Sequence, residues 1–310
     1  MSEKGWPGNP GDPGAFSKAV AEAQKCLVFM LDVRAPHNLV MVCKQLYLAK
    51  LEEQISDTAV FEQVKETREE ILKRHEAANK RWSCDHFNRL PYLYGVFKPT
   101  KRNFRWIAGT SKEADPRPKK PGEKEKPRAS VYAIARRAVG ILRVVMDTLR
   151  MISSERHRVE GIRTCWYVES LEEVAMQLRR LPEEVWRQPM RTVNFTTMYT
   201  NLPHDELLAK VRSAVAEAWD FHKERTGLTP LLGEEGWNTG VETYTLEEVM
   251  EILRFLVTNS FVCNGGHVRK QVRGIPMGLA VSPQLANLYC YAVEREFAIQ
   301  RGAVPDVAFR

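Results

Sequence analysis

The chain has 310 residues, 44% of them hydrophobic and 27% charged, which is enough apolar content for a globular protein with one or two cores. Lysine and arginine number 46 against 39 acids, a net charge of +7 that is compatible with a nucleic-acid partner without requiring one. Six scattered cysteines show no CxxC or Cys/His ligand spacing, which argues against zinc and suits reduced thiols in an intracellular protein. No apolar run approaches the ~18 residues of a membrane span, and the amino end is no signal peptide.

Residues 1–16, MSEKGWPGNPGDPGAF, are rich in glycine and proline and are expected to be disordered. Residues 17–89 read as a helical region. Leu39, Val42, Cys43, Leu46, Tyr47 and Leu51 recur at helical spacing, and a second helix is expected from near Asp57 through Phe61, Val64, Ile71 and Leu72. The charged face of that helix is first a solvated surface and only second a nucleic-acid contact. LPYLYGVF (90–97) and RWIAG (105–109) read as two strands joined by a basic turn. Residues 98–110 carry Lys98, Lys101, Arg102 and Arg105 with no acid. The proline-rich, mixed-charge stretch 114–128 is expected to be a flexible inserted loop.

Val131, Ile134, Ala138, Ile141, Leu142, Val145, Leu149 and Ile152 mark an amphipathic helix over 130–152. Seven arginines stand against three acids across 134–163. Ser170 with Glu173 forms a capping box for a short helix ended by Pro182. Thr192–Thr196 reads as a strand, followed by an Asn-Leu-Pro turn and a helix over 204–224. A second capping box, Thr245 with Glu248, opens a helix through Val257. SFVCNGGHVRKQV (260–272) is a hairpin whose turn is set by Asn264, Gly265 and Gly266, and a helix over 283–300 completes the pattern. The strand at 191–196 is expected to share a sheet with the hairpin, backed by the helices at 204–224 and 283–300.

Two segments carry the functional signal. GIPMGLAVSPQLAN (274–287) is a glycine-rich turn feeding a helix, a form that brings bare main chain and free N–H groups against a ligand. RTVNFTTMYTNLPHDELLAKV (191–211) lies about eighty residues upstream. Read alone, each is a turn or strand end beside a core helix. Together, in this order and separation, they resemble motif A (approximately DFTTLYTNIPH) and motif B (GIPMG…SPxLAN) of reverse transcriptases. The resemblance is to the Penelope-like retroelement type, related to telomerase, and it is good over about 90–294.

The resemblance implies an α+β fold: right-hand polymerase fingers and a partial palm over 90–310, behind the helical amino-terminal region. It implies template-directed DNA synthesis from RNA, with an RNA template, a DNA primer and deoxynucleoside triphosphates as partners. It also implies Mg²⁺ as cofactor and a nuclear site of action for a retroelement protein. Lys98, Lys101 and Arg105 fall where relatives contact triphosphate and template, although Trp106 stands where they have proline. Tyr199 takes the position of the ring beneath the sugar, and Met277 that of a contact to the incoming base or sugar. Gly274, Pro276 and Gly278 would let main chain approach the template-primer pair, while Ser282 and Pro283 begin a helix along the template. Arg269, Lys270 and Arg273 would meet backbone phosphate.

Two departures bear on activity. Asn194 occupies the motif A metal position, where the family has aspartate, and an amide brings no negative charge to a hard cation. No paired aspartates follow residue 283, and Asp306 stands alone. The resemblance therefore implies a fragment lacking motif C, inactive as written. A non-catalytic nucleic-acid-binding module derived from a retroelement is the alternative, and an unrelated helical interaction protein with chance matches is a third reading.

Overall fold

The computed structural model describes residues 13–32, 38–98, 102–110, 128–187, 189, 195, 198–276 and 278–302. In chain order the first elements are α1 (Pro13–Ala23), β1 (Leu27–Leu31), β2 (Leu39–Cys43), α2 (Lys44–Ile55), β3 (Phe61–Gln63) and α3 (Arg68–Arg81). Then come β4 (Tyr92–Lys98), β5 (Asn103–Gly109), α4 (Tyr132–Glu160), α5 (Leu171–Arg179), α6 (Glu183–Trp186) and α7 (Met198–Asn201). The last are α8 (His204–Thr226), β6 (Leu232–Gly233), β7 (Thr243–Tyr244), α9 (Leu246–Thr258), β8 (Phe261–Asn264), β9 (His267–Gln271) and α10 (Ser282–Arg301). Two compact units result, one of residues 1–57 with 93–107, the other of 58–92 with 108–310. This division differs from the sequence reading, which put the boundary near residue 89.

In the first unit, β1 pairs antiparallel with β2, Leu27 opposite Cys43 and Leu31 opposite Leu39. The helix expected through Leu39–Leu51 therefore begins only at Lys44. LVMVC is a short continuous apolar run that fits strand and helix templates alike, and the matching run LVFML decides for the strand. Helix α1 starts at Pro13, inside the stretch expected to be disordered, with proline in the first turn where its missing N–H costs nothing. Strands β4 and β5 pair as the sequence reading expected.

The second unit holds a three-stranded sheet in the order β3-β9-β8. Phe61 lies opposite Gln271, and Phe261 opposite Lys270. The β8–β9 turn has φ 58° at Gly265 and 84° at Gly266, the twin positive values of a tight hairpin turn that favours glycine. Four helices build the main core. Ile141, Leu142 and Leu149 of α4 meet Leu207, Val211 and Val215 of α8, Ile252, Leu253 and Leu256 of α9, and Leu285, Leu288 and Tyr291 of α10. Helix α4 stops at Gly161, which supplies a left-handed cap at φ 73°.

Capping chemistry explains several starts. The Thr245–Glu248 box forms in full. At α5 only half of the expected box forms: Ser170 Oγ accepts the Glu173 N–H, but the Glu173 carboxylate takes the N–H of Glu169 instead of that of Ser170. The helix expected from Asp57 is displaced. Phe61–Gln63 is strand β3, and α3 starts at Arg68 behind a full Thr67–Glu70 capping box. The expected strand 192–196 and most of the expected loop 114–128 lie outside the described residues. Phe195 alone is described there, irregular and 57% exposed. Among the described residues the third strand of the hairpin's sheet is β3.

Candidate nucleic-acid site

The two signal segments meet through their backbones. After β9, Arg273 forms an antiparallel bridge with Pro203 and donates from Nε to the Asn201 carbonyl at 2.9 Å. The Gly274 N–H donates to Leu202 O, and the Ile275 N–H to Tyr199 O, each at 2.8 Å. His204 Nε2–H returns a bond to Gly274 O at 2.9 Å, which fixes its tautomer. Three successive turn residues are thus stitched to the stretch 199–204. Gly274 has φ 83°, and a Cβ there would lie 2.3 Å from Tyr199 O, so only glycine fits.

The far side of the turn is tied as closely. Ser282 Oγ donates to Pro276 O at 2.5 Å, and Thr110 Oγ1 donates to Gly278 O at 2.7 Å. Gly278 has φ 114° and is exposed, as is Pro283 in the first turn of α10. Ser282 does open α10, but its hydroxyl holds the turn and caps nothing. The result is a glycine-bracketed turn, hydrogen-bonded on both sides of residue 277 and ahead of a long helix, a form that can approach a flat ligand closely. Met277 lies outside the described residues.

Tyr199 is half-buried on the core, and its carbonyl is the acceptor that positions Ile275. On β9, Arg269 and Lys270 are adjacent and so take opposite faces of the sheet. Lys270 is engaged with Glu62 at 3.3 Å. Burial holds the His204 pKa below the usual histidine value, against the opposing effect of its bond to Gly274. His204 and Thr110, which the sequence reading gave no role, hold the turn in place through these hydrogen bonds. The histidine stands in the motif A-like segment itself, whereas nothing local marks Thr110.

In the first unit, Lys98 ends β4 half-buried and Arg105 is exposed on β5, while Lys101 lies outside the described residues. Trp106, unexpected at its position, belongs to a ring cluster: Tyr47 to Phe104 is 5.5 Å, Phe104 to Trp106 5.4 Å and Phe97 to Phe104 5.4 Å between centroids. A Cβ on Gly95 would come within 2.8 Å of the Trp106 ring, and the Gly95 N–H donates to the Tyr47 hydroxyl at 2.9 Å. Arg105 alternates with Phe104 and Trp106, so its guanidinium leaves on the other face.

Asn194 lies outside the described residues. Among the described ones, no three His, Cys, Asp or Glu side chains are grouped to hold a metal ion. Those residues offer Mg²⁺ no carboxylate cage.

The fold is similar to that of telomerase catalytic subunits. An apo telomerase from Candida tropicalis, truncated from its C-terminal domain, superposes with a TM-score of 0.55 at 11% identity, covering 90% of this chain and 49% of that one. Telomerase from Candida albicans, in complex with a fragment of telomeric RNA, gives 0.55 at 11%, covering 93% and 44%. The chain thus spans less than half the length of either, and at this identity the likeness is one of fold. No family model matches the chain, and no curated protein does. Among the described residues no helix is long and apolar enough to cross a membrane.

Proposed function

We propose that the chain is a reverse-transcriptase-like domain of Penelope-like type that seats an RNA template paired with a DNA primer. Hairpin β4–β5 serves as fingers, with Lys98, Lys101 and Arg105 toward phosphate. The Gly274–Gly278 turn and the start of α10 line the template, and Tyr199 and Met277 sit at the incoming deoxynucleotide. The observation that carries this reading is the hydrogen-bonded docking of Arg273–Ile275 onto residues 199–204, because it joins the two motif-like segments at one place. The telomerase-like fold, and the RNA in one of those structures, support it.

We further propose that residues 1–310 alone do not polymerise. Asn194 supplies no charge at the position where relatives use an aspartate for Mg²⁺. A retroelement protein of this kind acts in the nucleus. The retained, non-catalytic binding module is the second reading, favoured by the same amide at Asn194.

Anisotropy of a labelled RNA–DNA hybrid across a salt series tests the binding. Affinity is expected to fall steeply with salt, and Lys101→Ala with Arg105→Ala should reduce the log–log slope by about two. An unchanged slope removes the fingers hairpin from the surface. Binding that does not respond to salt sinks the reading as a whole.

A further inference from the structure

A second basic site lies on other elements. Between the last turns of α4, the segment 161–167 and α5 there is a cavity of about 610 Å³, reached by Arg150, Ser153, His157, Arg163, Gln177 and Arg180. None of its lining residues belongs to the turn at Gly274 or to the stretch 199–204.

Its one acid is already used. The Glu173 carboxylate takes the Arg150 guanidinium at 2.5 Å, the Glu169 N–H at 2.9 Å and the Gln177 amide at 3.2 Å. Arg163 is oriented by neutral partners only, with Nε donating to Cys165 O at 3.1 Å and Nη2 to Gln177 Oε1 at 3.4 Å. Among the described residues neither Arg163 nor Arg180 meets a carboxylate, so two positive charges face the cavity uncompensated. The dipole of α5 accounts for a cation at Arg180, next to its last turn. It does not account for Arg163, which is half-buried in the loop before that helix, where an unpaired charge is costly.

Ser153 points the same way. It is 4% exposed, and its Oγ accepts the N–H groups of Thr164 at 3.0 Å and Cys165 at 2.9 Å. The hydroxyl hydrogen has no acceptor among the described residues. Two guanidinium groups and a buried hydroxyl thus line one cavity as donors, the chemistry an oxyanion takes. The volume lies in the range that takes a whole small ligand.

We propose that the α4–α5 cavity binds a nucleotide through its phosphate, with Arg163 and Arg180 on the phosphate oxygens and the Ser153 hydroxyl donating to one of them. The nucleotide is either free or a single residue of a strand. The site goes beyond the template seat proposed above and does not depend on it.

Hydrogen exchange of the 310-residue chain, read by mass spectrometry with AMP and with a short single-stranded RNA, tests this. Slowed exchange across 161–180 is expected. If both ligands give it, a free nucleotide is the occupant; if only the RNA does, the occupant is part of a strand. Slowing confined to 199–204 and 273–276 would overturn this site and leave the template seat standing, whereas slowing at 161–180 alone supports this site and leaves the template seat to the hybrid titration above. No slowing with either ligand overturns the proposal. Arg163 also anchors its loop, so the deciding variant is the exposed Arg180→Glu, expected to weaken binding about tenfold or more through loss of a charge-assisted bond. Unchanged affinity in that variant overturns the proposal.

Discussion

Gly274 sits so close to Tyr199 that a side chain on it would press within 2.3 Å of the Tyr199 carbonyl oxygen. The same carbonyl accepts the Ile275 N–H at 2.8 Å, so the clash cannot be relieved without breaking that bond. Gly161 has a similar positive φ, 73°, but open space where a Cβ would go. Gly161→Ala should therefore cost only the left-handed backbone penalty of about 1 kcal/mol. Gly274→Ala adds the backbone clash and should cost roughly 2–4 kcal/mol. Urea midpoints of the two variants give the comparison. Equal midpoints would mean that the docking of the turn does not contribute to the fold.

Legibility in the sequence followed the range of the interactions. The Thr245–Glu248 box, the Asn264–Gly265–Gly266 hairpin and α10 after Ser282 are set by residues a few positions apart, and all were readable. The Thr67–Glu70 box has the same signature and marks the true start of α3, but the apolar spacing from Phe61 reads as continuous helix and masks it. β3 could not be read locally, because its strand character comes from pairing with β9 about two hundred residues away. At the candidate site, Gly274 and Ser282 were legible as a motif. Thr110 was not, since its bond to Gly278 O spans 168 residues of chain. Trp106 reads as a departure in sequence and as a ring-cluster member in space, with Gly95 as the necessary complement.

His75 should make stability fall with acid. It is 0% exposed, with Nδ1 2.7 Å from Ser130 Oγ, and burial above all, then the charge of Arg74 and of His86, pushes its pKa down to about 4. The unfolded imidazole titrates near 6.5, so between those values the unfolded chain binds more protons. Stability is full above pH ~6.5 and falls as pH drops toward 4, by roughly 3 kcal/mol in all. His204 and His222 are also lowered by burial and act with the same sign. The lowered carboxylates Glu66 and Glu248 enter only below their ordinary value of 4.5. Unfolding free energies at pH 7.5 and 5 should differ, and His75→Gln should narrow the gap. An unaltered gap would assign the dependence to other groups.

Glu217 is the keystone of a charge network among α4, α8 and α10. Its carboxylate accepts from Arg295 Nη1 at 2.6 Å, Tyr291 Oη at 2.9 Å and Arg156 Nη2 at 3.3 Å. Burial, then the carboxylate itself, raises the Tyr291 pKa, so the phenol stays a donor. Glu217→Ala leaves two half-buried guanidinium groups unpaired and should cost about 3 kcal/mol. Tyr291→Phe removes one bond and should cost about 1 kcal/mol. Breaking the exposed Arg212–Glu247 pair should cost far less, because solvent screens it. Denaturation midpoints rank the three, and a Glu217→Ala loss no larger than that of the exposed pair would contradict the network's weight.

Catalysis gives the sharpest expectation. Joining a primer hydroxyl to a nucleotide α-phosphate needs two divalent ions clamped by several carboxylates. Asn194 offers an amide, and Asp306 is the only aspartate after residue 283, so that stretch holds no aspartate pair. Residues 1–310 should therefore give no primer extension with Mg²⁺ or Mn²⁺, while still binding the hybrid. Asn194→Asp alone should restore nothing, because one carboxylate does not hold two such ions against water. Appending an aspartate-pair hairpin and thumb from a relative to the Asn194→Asp chain should give detectable deoxynucleotide incorporation. In that chimera Tyr199→Ala should admit ribonucleotides, as the proposed place of its ring beneath the sugar, against a 2′-hydroxyl, requires. Template-dependent extension by the unmodified 310 residues would overturn the inactive reading. Extension by the chimera with no effect of Tyr199→Ala would instead remove Tyr199 from the nucleotide site.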